Sequence, residues 1–141
     1  VAMTTLQTSA SALNLDRLAA QAAQRIIAGT NGSKATDVEN TVTKTLGVLQ
    51  ENGIYACALY LLSRPARESA RTKVVMREIL QLLFQLSTAM NYGWPRLDSE
   101  QSGVILAYLT EQVTQDLERL ILAKELLEQM LIYARYGAKA R

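Results

Sequence analysis

The chain has 141 residues, 49% of them hydrophobic, with 15 basic side chains against 13 acidic and a net charge of +2. One domain with its own core is expected at this length, and the charge is too balanced to mark a nucleic-acid protein by itself. Histidine is absent and Cys57 is the single cysteine, which excludes Ser-His-Asp and Cys-His hydrolase designs, most zinc sites, an internal disulfide and a histidine pH switch.

The longest apolar run is Ile54 to Leu62, less than half of the ~20 residues that a membrane-spanning helix needs. The first twelve residues are small and polar, without a basic start and an apolar stretch, and do not read as a signal peptide. The expectation is a soluble, cytoplasmic, non-enzymatic protein with no catalytic residues, no metal and no cofactor.

Leu and Ala are the commonest residues, Pro is limited to two and Gly to seven, and no window alternates strictly between apolar and polar. This predicts an all-α, single-domain bundle of about six helices. Residues 1–12, rich in Thr and Ser, read as a flexible tail, and residues 13–141 as the helical domain. A first helix is predicted from Asn14 or Asp16, with Leu15, Leu18, Ala19, Ala22, Ile26 and Ile27 as its stripe. Gly29 to Ser33 ends it. A second helix is predicted from Asp37 to Gln50, with Val38, Val42, Leu46 and Leu49 inward, and Asn52-Gly53 as its stop.

The third helix, Ile54 to Leu62, is apolar on nearly every side and is expected at the buried centre. Arg64-Pro65 breaks it. A fourth helix is predicted over Ala66 to Asn91, with Val75, Ile79, Leu82, Leu83, Leu86 and Met90 inward. Tyr92 to Arg96 is a loop, after which Asp98 or Ser99 should cap, and Gly103 to Leu109 reads as a short helix. The last helix is predicted over Thr110 to Tyr136, with Val113, Leu117, Leu120, Ile121, Leu127, Met130, Leu131 and Ala134 inward.

The small net charge hides an uneven distribution. Residues 64–78 hold Arg64, Arg67, Arg71, Lys73 and Arg77 against Glu68 and Glu78, whereas residues 98–134 are net acidic. Arg64, Arg67 and Arg71 would share a helix face at this spacing, and arginine forks fit phosphate oxygens. The ordinary alternative is a solvated charged face. Tyr92 and Trp94, in a Gly/Pro loop, are candidate anchors of a protein interface, or else a plug that packs the loop onto the helix ends. Cys57 reads as a small buried hydrophobe. Glu118, Glu125 and Glu128 lack the His that a ferritin-like metal site requires.

The run Leu46-Gly47-Val48-Leu49-Gln50-Glu51-Asn52-Gly53-Ile54-Tyr55-Ala56-Cys57-Ala58-Leu59-Tyr60 resembles the small α-helical subunit of the Cmr complex, the type III-B CRISPR RNA-targeting effector. In that family a helix ends in Asn-Gly and is followed by a small-residue helix that closes on an aromatic. Leu126-Leu127 and Arg135-Tyr136-Gly137-Ala138 resemble its C-terminal helix, and Ala19, Ala22 and Ile26 its N-terminal one. The family's Pro before the central motif is absent, and Leu131 or Ile132 stands in place of its Trp.

The resemblance implies a non-catalytic filament subunit, present in several copies beside the backbone subunits of the effector. It would contact the backbone of guide and target RNA without reading sequence. Arg17 and Arg135 are RNA-contact candidates through the resemblance. Arg25, Lys44, Arg64, Arg67, Arg71 and Lys73 are candidates through charge placement. Two alternatives stand beside this reading: the equivalent small subunit of the related Csm complex, and a helical protein–protein adaptor that binds no nucleic acid.

Overall fold

The computed structural model describes the backbone of residues 2–141 and the side chains of residues 15–141. The expected tail, residues 1–12, lies outside the residues whose side chains are described. Six α-helices follow one another: α1 (Ala2–Gly29), α2 (Ala35–Asn52), α3 (Ile54–Leu62), α4 (Ser69–Met90), α5 (Ser102–Tyr108) and α6 (Leu117–Ala140). A 3-10 turn, Ala66–Glu68, precedes α4, and a π-helical turn, Leu109–Val113, follows α5. No strand occurs among the described residues, and none of their helices is long and apolar enough to cross a membrane. The chain is an all-α bundle.

The core is built where α6 packs on α1 and α2, with α4 against α1. Side-chain contacts fix the directions. Arg25 meets Glu78 and Gly29 lies against Val74, so α4 runs antiparallel to α1. Lys124 reaches the Gln50 carbonyl and Lys139 reaches Glu39, so α6 runs antiparallel to α2. The Tyr133 hydroxyl donates to Asp16 at 2.5 Å, and Gly137 lies against Ile27. At Gly137 an added Cβ would come within 3.0 Å of Ile27 Cγ1, so a small residue lets α6 approach α1. Arg141 closes this end by donating to the carbonyls of Thr30, Asn31 and Ser33.

The predicted stripe of α2 is buried throughout, as are Leu15, Ala19, Ala22 and Ile26 of α1. Gly53 joins α2 to α3 at φ +93°, ψ −175°, a conformation open essentially to glycine alone. Its N–H donates to the Leu49 carbonyl at 3.0 Å. One residue thus ends one helix and starts the next.

Several expectations are corrected. Asn14 and Asp16 lie within α1 and do not start it. Asp37 occupies the first turn of α2, whose N-cap is Lys34. Neither Asp98 nor Ser99 caps α5, which begins at Ser102 behind Gln101. The third helix is not the buried centre: Ile54, Cys57, Ala58 and Leu61 face inward, but Tyr55 and Leu59 are exposed.

Met90 is exposed because α4 ends there, its chain turned off by Asn91 in the left-handed conformation. The last helix does not begin at Thr110. The π-helical turn closes with the Thr114 N–H on the Leu109 carbonyl at 3.0 Å, and α6 restarts at Leu117. The Asp116 carboxylate caps it by accepting from the Arg119 N–H at 3.0 Å. The break resets the helical phase, so Val113 stays buried while Leu117 is 70% exposed and Ile121 49% exposed.

Candidate phosphate-contact surface

On α2, Asp37, Asn40, Thr41 and Lys44 recur at helical spacing and present one polar face. The start of α4 lies across from it. The Arg71 Nε donates to the Thr41 hydroxyl at 3.0 Å and pins the two helices together. Between them is a polar pocket of about 200 Å³, lined by this face of α2 and by Arg67, Glu68 and Arg71. Three of the eight basic candidates, Lys44, Arg67 and Arg71, therefore meet at one place.

Ion pairing leaves these cations available. The ion pairs among the described residues are Arg25–Glu78, Lys124–Glu128 and Lys139–Glu39. Lys44, Arg67 and Arg71 are in none of them, although Asp37 and Glu68 line the same pocket. Such a site can grip phosphate oxygens with guanidinium forks and an ammonium.

The remaining basic candidates separate from this cluster. Arg64 precedes the 3-10 turn and does not share a face with Arg67 and Arg71. Its guanidinium lies over the Tyr60 ring at 4.4 Å. Arg64 and Lys73 line a different cavity, together with Arg77. Arg25 is committed to structure: its Nε donates to the buried Glu78 carboxylate at 2.8 Å. Arg17 is exposed on α1, and Arg135 is half-buried on α6 with its Nε enclosed and without a hydrogen-bond partner.

The aromatic loop turns inward. Trp94 is buried in the core, its backbone N–H donating to the Ser87 hydroxyl at 2.7 Å. The Tyr92 and Trp94 rings lie 5.0 Å apart, and Arg119 sits 4.6 Å over Tyr92 while donating to its carbonyl at 3.3 Å. Burial pushes the Tyr92 phenol up, and the Arg119 charge opposes that shift. Of the two readings of this loop, interface anchors or a plug, the burial of Trp94 gives the plug, which fastens the loop to α4 and α6. Among the exposed large apolar side chains, Leu117 and Ile121 lie one turn apart on α6, at positions expected to face inward.

Cys57 is buried, and desolvation pushes its thiol from 9.0 up to about 12, so it is no thiolate nucleophile at neutral pH. The signal that could have found the polar pocket was the Asp37, Asn40, Thr41, Lys44 spacing, which sequence reasoning passed over because only Lys44 carries positive charge. Scans against protein-family models, curated proteins and solved structures find no match to this chain.

Proposed function

We propose that this chain is a non-catalytic small subunit of a type III-B CRISPR ribonucleoprotein, acting in the cytoplasm and holding the phosphate backbone of guide and target RNA. The observation that carries the reading is the convergence of Lys44, Arg67 and Arg71, none of them ion-paired, on one pocket between α2 and the segment that leads into α4. The Asn52-Gly53-Ile54 junction supports it further. This motif, which resembles the Cmr family's, coincides with an abrupt helix-to-helix turn on a glycine-only conformation.

Contacts of this kind are electrostatic and independent of sequence, so binding weakens with salt. A single copy offers few of them, and strong capture belongs to an assembly of several copies with backbone subunits.

The test is reversal of the three cations, as Lys44→Glu, Arg67→Glu and Arg71→Glu. Single-stranded RNA binding is read against salt concentration. Loss of three phosphate contacts lowers the slope of log K against log salt by about 2. An unchanged slope in a folded variant rejects the pocket as the contact surface.

A further inference from the structure

A second cavity lies on another side of the first half of α4, closed by the end of α3 and by the irregular segment that leads into α5. Its volume is about 220 Å³. Leu61, Met76, Leu80 and Ile105 give it an apolar floor, and all four are buried. Its rim is charged with both signs: Arg64, Lys73 and Arg77 are cationic, Asp98 and Glu100 anionic.

None of these five groups takes part in the ion pairs found among the described residues. The Nε of Arg64 is enclosed and has no hydrogen-bond partner. A buried guanidinium N–H is ordinarily satisfied. An apolar floor beneath converging, unpaired polar groups is the usual make-up of a small-molecule site.

The ligand chemistry follows from what each part lacks. The floor takes a flat apolar body. Three cations take a multiply charged anion, with more donors than one carboxylate can use. Carboxylates accept only, so the exposed Asp98 and Glu100 suit N–H donors, such as an amino group on a ring edge. We propose that this cavity binds an amino-bearing nucleoside monophosphate unit, with the base on the floor, its amino edge at Asp98 and Glu100, and the phosphate at Arg64, Lys73 and Arg77. The unit is either a free nucleotide or one residue of an RNA strand. The inference stands apart from the Lys44–Arg67–Arg71 pocket and does not need that pocket to touch RNA.

The experiment is a titration of the full isotopically labelled chain, followed by backbone amide resonances, with adenosine monophosphate, adenosine, ribose 5-phosphate and inosine monophosphate. Adenosine monophosphate is expected to shift Thr72, Leu97, Ser99 and Ser102 and to leave Asn40 and Thr41 in place. Removing the phosphate or the base weakens binding about tenfold or more, since each loses charged hydrogen bonds or the apolar contact. Inosine monophosphate, which lacks the amino group, binds several-fold more weakly.

Arg77 and Glu100 are exposed, so Arg77→Glu and Glu100→Gln keep the fold. The first weakens adenosine monophosphate binding, and the second narrows its margin over inosine monophosphate. A short oligoadenylate that binds these resonances more tightly than the mononucleotide identifies a strand as the source, and weaker binding identifies a free nucleotide. No shift at millimolar ligand, equal binding of ribose 5-phosphate, or shifts confined to the Lys44 pocket each overturns the proposal.

Discussion

Replacing Arg25 by Gln separates a structural role from an RNA-contact role at one residue. Charge placement made Arg25 a candidate for phosphate, but its Nε lies 2.8 Å from a carboxylate oxygen of Glu78. The Glu78 side chain is 5% exposed and that of Arg25 37%. Removing one partner of a fully buried pair costs about 3–5 kcal/mol, because the other charge is left buried and alone. Here solvent reaches more than a third of Arg25, which screens the interaction and reduces the cost to about 2 kcal/mol. For a domain of this size that lowers Tm by about 8 °C.

Thermal unfolding followed by circular dichroism reads the shift. RNA capture, corrected for the folded fraction, should be unchanged. Arg25→Met with Glu78→Leu should recover most of the lost stability, since an apolar pair of similar volume leaves no buried charge. The reasoning is refuted if Arg25→Gln leaves Tm within about 2 °C of the parent while RNA capture falls.

Three further outcomes follow from the same geometry. Gly53→Ala places a side chain at φ +93° and should cost about 1–3 kcal/mol in denaturant unfolding; no atom lies within 4 Å of the added Cβ, so the loss is backbone strain and not a clash. Trp94→Ala empties a buried site and should cost about 3–5 kcal/mol, read as a lower urea midpoint, whereas an exposed anchor would leave stability unchanged. The Cys57 thiol, pushed up to about 12 from 9.0, stays protonated in the native state where the unfolded chain ionises. The unfolded state then binds fewer protons, so stability falls as pH rises above 9 and is unaffected below it. Between pH 8 and pH 10.5 the parent should lose about 2 kcal/mol more than Cys57→Ala does, and equal losses would place the thiol near solvent.

Much of the fold was legible in the sequence because it depends on local rules. The period of Val38, Val42, Leu46 and Leu49 set the buried face of α2, and Asn52-Gly53 marked a break that needs positive φ. What escaped depends on phase and on neighbours. Leu117 and Ile121 match an inward stripe only if the helix runs unbroken from Thr110, and a π-helical turn with an Asp116 cap interrupts it. Arg64, Arg67 and Arg71 share a face only if one helix carries all three, and Pro65 places Arg64 before the turn.

The candidate pocket was legible only in part. Charge counting found Lys44, Arg67 and Arg71 but could not separate them from Arg25, because a buried Glu78 53 residues away decides what Arg25 does. Trp94 was ambiguous for a similar reason. A Gly/Pro loop permits both an exposed ring and a plug, and the Ser87 hydroxyl on α4 selects the plug.

The most direct measurement is a tagged pull-down of this chain from its native host, divided into samples with and without ribonuclease. The recovered RNA is sequenced and the intact assembly weighed by native mass spectrometry. The account predicts guide RNAs sharing a constant 5′ segment, several copies of this chain per assembly, and loss of that RNA from a triple Lys44→Glu, Arg67→Glu, Arg71→Glu variant. Protein partners that survive ribonuclease, with no RNA recovered, would contradict it and leave a helical adaptor as the reading, with the exposed Leu117 and Ile121 as its first candidate contact.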